Sequence, residues 1–163
     1  MTDQDALQAL ARSVGARLVE RGETVALCET AAGGLASAAL LAVPGASAFF
    51  VGSAVAYSRK SRHALLDLHG ADVEGLEPMS KEMGLVFAAR TRERMGSSWG
   101  LAELGIAGPA GSPYGGPAGV ALVAVDGPRL LARRVETGSA DRAANMRAFA
   151  AAMLEVLADA LGD

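Results

Sequence analysis

A chain of 163 residues, 51% hydrophobic and 20% charged, has the length of one ordinary domain and is too apolar to be disordered. Its net charge of −3, without any Lys/Arg cluster interleaved with aromatics, excludes a nucleic-acid footprint, and its single cysteine excludes an internal disulfide or a cysteine-based zinc site. No apolar stretch approaches the ~18 residues of a membrane span, and the acidic start Met1-Thr2-Asp3-Gln4-Asp5 is unlike a signal peptide, so the expectation is a soluble cytoplasmic protein with neither nucleic-acid nor membrane partners.

Leu7, Leu10, Val14 and Leu18, spaced by threes and fours, predict an amphipathic helix over residues 3–20 that stops at Gly22. Thr24–Cys28 reads as a short strand, and Cys28-Glu29-Thr30-Ala31-Ala32-Gly33-Gly34 as the tight turn leading into a helix over Gly34–Ala42. A strand that empties through paired glycines into a helix is where α/β proteins hold anions and small ligands. Leu35, Ala38, Ala39 and Leu41 make this helix apolar almost all round, which predicts burial against a sheet, and Val43-Pro44-Gly45 ends it.

Phe49–Tyr57 is the second strand, interrupted by Gly52 and Ser53, and Ser58–Leu66 returns to helical spacing with Arg59, Lys60 and Arg62 near its start. Cations are unfavourable at a helix N-terminus, so the pattern calls for either an anionic partner or a solvated face. Residues 67–79 form an acidic loop that reads as a lid, with His63 and His69 beside it at surface positions. Ser80 caps a helix to about Met95, with Met83, Val86 and Phe87 inward, Arg90 thinning the stripe and Gly96 closing it.

Trp99–Ile106 is the third strand, and the Gly/Pro-rich loop Ala107–Pro117 gives up side-chain packing for backbone approach to something else. The apolar run Ala118–Val125 is a central strand, Asp126-Gly127-Pro128 turns it into Leu130–Val135, and Arg133 and Arg134 mark an edge or an exposed face. The last helix runs from about Ala140 to Leu161 with Met146, Phe149, Met153, Leu157 and Leu161 on one stripe. This order predicts an α/β fold, a three-layer α/β/α sandwich in a single domain over residues 1–163. The short Asp-Gly turn makes the last strand pair antiparallel and the sheet mixed.

Three segments together resemble the C-terminal domain family of the competence/damage-inducible CinA proteins. They are Cys28–Gly34, against the family's Ala-Glu-Ser-Cys-Thr-Gly-Gly; Pro44-Gly45 through Tyr57-Ser58-Arg59-Lys60-Ser61-Arg62 to Leu65-Leu66; and Leu104-Gly105-Ile106-Ala107-Gly108-Pro109-Ala110-Gly111. Asp141-Arg142 is a fainter echo. The resemblance implies an anticodon-binding-domain-like sandwich with a five-stranded mixed sheet. It also implies hydrolysis of nicotinamide mononucleotide to nicotinate mononucleotide and ammonia, by a serine/lysine pair without metal or organic cofactor. A small-molecule mononucleotide would be the ligand. Family members are often oligomers, and the Ala-rich helices with sparse charge likewise suggest a homo-oligomer built through helix faces.

Carried over position by position, the family's serine is Thr30, its lysine Arg62 and its threonine Leu104, while Ala31, Ala32 and Gly116 replace a cysteine, a threonine and a lysine. Threonine keeps a hydroxyl but crowds the attack path, and arginine stays protonated and cannot be a general base. Lys60 shares a face with Arg62 only if that segment is extended. The catalytic set expected from the resemblance is therefore Thr30, Tyr57, Lys60 and Arg62, with Glu29, Gly33, Gly34, Ser58, Arg59, Leu104, Gly105, Gly108 and Gly111 contacting substrate. Glu29 has a second reading as a cap of the turn, and Arg59 and Arg62 one as phosphate holders. Cys28, with no His partner evident, reads as a buried thiol. Three functions stay open: amidase on this mononucleotide, non-catalytic ligand-binding protein, or hydrolase of a different amide.

Overall fold

Local chemistry sets most element boundaries in the computed structural model, which describes residues 2–162. The chain runs α1 (Asp3–Arg21), β1 (Val25–Glu29), α2 (Leu35–Leu41), β2 (Phe50–Val55), α3 (Arg59–Leu66), α4 (Lys81–Met95), β3 (Trp99–Ile106), β4 (Val120–Asp126), β5 (Leu131–Glu136) and α5 (Arg142–Leu161). Ser58 and Ser80 cap α3 and α4 by accepting from backbone amides three residues on, while Gly22 and Gly96 close α1 and α4 in the left-handed region.

The strands form one five-stranded mixed sheet, as the resemblance implied, and their order is β2-β1-β3-β4-β5. β1 pairs parallel with β2 and β3, whereas β3–β4 and β4–β5 are antiparallel. The Gly/Pro loop after β3 thus reverses the chain as the Asp-Gly turn does after β4. Helices α1, α2 and α5 enclose one core, in which Leu27, Leu101, Val123, Phe149 and Leu154 meet. On the other face α3 and α4 cover a second core built on Cys28, Ala54, Leu66, Phe87, Ala102 and Leu104.

Two glycines let α4 lie close to the sheet. A Cβ on Gly84 would come within 2.6 Å of Leu122, and one on Gly100 in β3 would drive into the Ala88 carbonyl of α4. The most buried stripe of α4 is accordingly Gly84, Phe87, Ala88 and Thr91, while Met83 and Val86, expected innermost, are only half-buried. Burial of α2 is also one-sided. Leu41 is 61% exposed, and on the neighbouring edge strand Val51 and Val55 are 47% and 45% exposed, because a seven-residue helix is too short to cover that edge.

Gly100→Ala is expected to destabilise the fold by about 3 kcal/mol through overpacking against helix backbone. Gly70→Ala, where an added Cβ meets nothing, is expected to leave it unchanged. Urea unfolding with an unaltered m-value and a shifted midpoint would register the difference.

Candidate active site

The turn Thr30–Gly34 is held from below by two buried glutamates on adjacent strands. Cys28 pairs with Ala102, so Glu29 at the end of β1 and Glu103 within β3 are the next residues along parallel neighbours. Glu29 accepts from the amides of Gly34 (2.8 Å), Ala36 (3.3 Å) and Ser37 (2.8 Å) and from the Ser37 hydroxyl, which caps α2. Glu103 accepts from the amides of Thr30 and Ala32, both at 2.9 Å. The Thr30 hydroxyl donates to the other Glu103 oxygen at 3.5 Å and accepts from the Gly105 amide at 3.2 Å.

Both carboxylates are inaccessible to solvent, and among the described residues neither has a cation within ion-pair distance. Burial pushes the Glu103 carboxyl up to about 7, against the pull of its amide donors, and the charge of Glu29 adds to the rise. Close packing depends on Gly105, because a Cβ there would run into Glu103 and lie 2.9 Å from both Ala31 and Phe149. Cys28 sits in the opposite core, and burial pushes its thiol up to about 12, so it is a structural thiol and not a nucleophile.

Thr30 opens on a cavity of about 790 Å³. Its floor is Thr30, Ala31 and Leu104; one side is Tyr57 with Arg59, Arg62 and His63 of α3; another is the Gly/Pro loop from Gly105 to Tyr114 with Arg142. The segment expected as a lid forms the remaining wall through His69, Gly70, Val73, Leu76, Pro78 and Met79. Arg90 of α4 fixes that wall by binding the Asp67 carbonyl and the Asp72 carboxylate. Among the described residues no Asp or Glu lines the cavity, and Arg59, Arg62 and Arg142 have no carboxylate within ion-pair distance. Arg142 donates to the Gly108 carbonyl (2.6 Å) and to the Tyr57 hydroxyl (3.2 Å), Arg62 stacks over Phe87 and bonds the Ala56 carbonyl, and Arg59 lies over Tyr114. Guanidinium groups can pair with anions, and those stacked on aromatic rings present a flat face.

Of the thirteen residues carried over from the resemblance, the cavity gathers Thr30, Tyr57, Arg59, Arg62, Leu104, Gly105, Gly108 and Gly111. The other five are placed elsewhere. Lys60 is exposed on the second residue of α3, because Ser58 and Ser61 form a capping box that makes the segment helical and turns Lys60 about 200° from Arg62. The Ser58 hydroxyl is itself committed to that cap. Glu29 takes its capping reading and does not reach the cavity. Gly33 and Gly34, at φ 68° and 95°, give the turn its left-handed backbone and do not line the cavity.

Glu103 and Arg142 belong to the site but were not among the site residues expected from the sequence. The signal for Glu103 was a lone carboxylate inside the apolar run Leu101–Ile106. For Arg142 it was the Asp-Arg echo: Asp141 caps α5, and Asn145 one turn on binds the Ala107 and Ser139 carbonyls, fastening the loop and the arginine together. His63 and His69, expected at surface positions, are exposed but stand on the cavity rim.

The model of the CinA C-terminal domain family matches residues 7–161. A CinA-like protein of Parasynechococcus marenigrum is 40% identical over 119 residues, covering 73% of this chain and 28% of that protein. Another, from Synechocystis sp., is 36% identical over 133 residues, covering 82% of this chain and 32% of its own length. The chain therefore spans about a third or less of these curated relatives. Among solved structures, the competence/damage-inducible protein CihA of Agrobacterium tumefaciens superposes with a TM-score of 0.86 at 25% identity, covering 97% of this chain and 96% of that one. A CinA-superfamily protein of Klebsiella pneumoniae gives 0.87 at 22% identity, covering 95% and 97%.

The raised Glu103 carboxyl sets a pH dependence of known sign. The folded chain holds a proton that the unfolded chain releases near the ordinary value of 4.5, so stability is full below 4.5 and falls as pH rises to about 7. The loss is roughly 3 kcal/mol. In Glu103→Gln this slope should vanish. The lowered carboxyls Asp5, Asp67 and Asp72 titrate below 3.8, outside the window, so comparing the two proteins by denaturant melts isolates Glu103.

Proposed function

Because the chain belongs to the CinA C-terminal domain family, we propose that it hydrolyses the carboxamide of a pyridine mononucleotide, with nicotinamide mononucleotide as the first substrate to test. The observation that carries this reading is the Thr30 hydroxyl at the floor of a cavity walled by three arginines, backed from beneath by the buried Glu103 carboxylate, which does not itself line the cavity.

In this reading Thr30 Oγ1 attacks the carboxamide carbon while its proton passes to Glu103, which takes the place of the lysine base that Arg62 cannot be. The carbon–nitrogen bond then breaks, and Glu103 returns the proton to the departing ammonia. Water then attacks the ester on Thr30, its proton passing to Glu103 and from there to Thr30 Oγ1 as the acyl–oxygen bond breaks, so the hydroxyl and the Glu103 carboxylate are restored and the acid product ionises to the carboxylate. The 3.5 Å separation of Thr30 and Glu103 is the looser distance usual before substrate binds. A carboxyl near 7 also suits a group that must both accept and return a proton at neutral pH. Arg59, Arg62 and Arg142 hold the phosphate, and the Leu104–Phe87 side receives the ring.

The same site has a second reading as a binding protein, favoured by Arg62. Its guanidinium is held on Ala56 and Phe87, where it can anchor an anion but cannot move a proton. Calorimetric binding of both nicotinamide and nicotinate mononucleotides without turnover would establish that reading.

Ammonia release from nicotinamide mononucleotide is the deciding measurement. Thr30→Ala should abolish it, Glu103→Gln should lower kcat at least about a hundredfold, and the wild-type rate should rise with pH about a midpoint near 7. Release no faster than in Thr30→Ala would end the hydrolytic reading. Arg142→Ala should raise KM with a smaller effect on kcat.

A further inference from the structure

The rim of the cavity carries a group that the proposed hydrolysis does not use. His63 lies in the last turn of α3, Asp67 is the C-cap of that helix, and His69 precedes the 3-10 turn Gly70–Val73. One ligand atom from each side chain, two imidazole nitrogens and a carboxylate oxygen, lies within 4.8 Å of the other two. His69 Nε2 and Asp67 Oδ1 are 2.9 Å apart, and the two imidazole rings meet edge to face with centroids 4.4 Å apart. We propose that His63, Asp67 and His69 form a binding site for a borderline-soft divalent cation of the Zn²⁺, Ni²⁺ or Co²⁺ class.

Spacing supports the assignment. A cation with bonds near 2.1 Å holds neighbouring ligands roughly 3 to 3.5 Å apart. The His69–Asp67 pair, hydrogen-bonded at 2.9 Å, has only to open slightly to reach that separation, and His63, an exposed side chain, completes the set. His63 and Asp67 stand four residues apart, which puts them on one side of the helix end.

The backbone is arranged in advance. Asp67 takes a left-handed conformation at φ 51°, the Asp72 carboxylate accepts from the His69 amide at 2.7 Å, and Arg90 clamps the Asp67 carbonyl. An ordered loop gives up less entropy when it binds. Two imidazoles with a single carboxylate select this class of ion over Mg²⁺ or Ca²⁺, which prefer oxygen ligands.

Charge opposes the ion in part, since Arg59 and Arg62 line the same cavity and Arg94 lies near Asp67, while Arg90 is already paired with Asp72. A bound cation would join the end of α3 to the wall loop. Both imidazoles line the cavity, so the ion's free positions would be open to water or to an anionic oxygen held there. The site rests on its own three residues, and its outcome is independent of whether the chain hydrolyses an amide.

Calorimetric titration of the untagged protein with Zn²⁺, and with Co²⁺ followed by visible absorption, tests it. The expected result is one saturable site per chain and a higher melting temperature in Zn²⁺. His63→Ala, His69→Ala and Asp67→Asn should each weaken binding about tenfold or more. All three side chains are exposed, so the variants should fold, and an unchanged melting temperature without metal verifies that. The chain has two histidines, so the double variant His63→Ala/His69→Ala retains no imidazole. Absence of a saturable site in the wild type, or binding unchanged in the double variant, overturns the proposal.

Discussion

Two buried carboxylates divide the amides of one turn between them, and the site depends on that division. Glu29 takes the amides of Gly34, Ala36 and Ser37, and Glu103 takes those of Thr30 and Ala32. Burying a carboxylate costs several kcal/mol. Hydrogen bonds to a charged acceptor return about 1.5–3 kcal/mol each, which is enough only when several converge. Glu29 has four such donors and needs no cation. Glu103 has two amides and a long hydroxyl contact beside a like charge, and its carboxyl is raised as a result. The one glutamate fixes the turn; the other is left poised beneath its hydroxyl.

Around this pair the fold supplies walls more than machinery. α3 contributes arginines because its capping box starts the helix at Arg59, and the helical turn from Arg59 to Arg62 then puts both on the cavity side. The Gly/Pro loop contributes backbone. Asn145 fastens its first residue to α5, which brings Arg142 against Tyr57 across the opening. In the proposed reading, the departures from the family's pattern put Arg62 and Gly116 where the family has lysines and leave the role of base to Glu103.

Much of the fold was legible because it is written in short-range chemistry. Ser58, Ser80, Gly22 and Gly96 announce helix ends by themselves, and Trp99–Ile106 is a strand with the bounds its residues suggest. What escaped depends on which way a residue faces across long range. Glu103 and Leu104 are neighbours on opposite faces of β3, one under the turn and one in the cavity. No pattern within a uniformly buried strand tells those faces apart. Lys60 illustrates the same difficulty locally, since helical or extended backbone decides whether it joins Arg62. The exposure of Leu41, Val51 and Val55 follows from β2 being an edge, a property of strand order that composition does not carry.

A cavity lined by arginines and, among the described residues, by no acid sits in a chain whose net charge is −3. An anion approaching from solvent therefore meets mild repulsion over most of the surface and attraction only near the mouth. In the proposed reading the molecule is a short-range trap for its anionic ligand and not a long-range funnel. At about 0.1 M salt, fields fade beyond roughly 10 Å, so ionic strength trims the repulsive outer field first. Capture of an anion by this protein should consequently be far less sensitive to salt than its concentration of arginines would suggest.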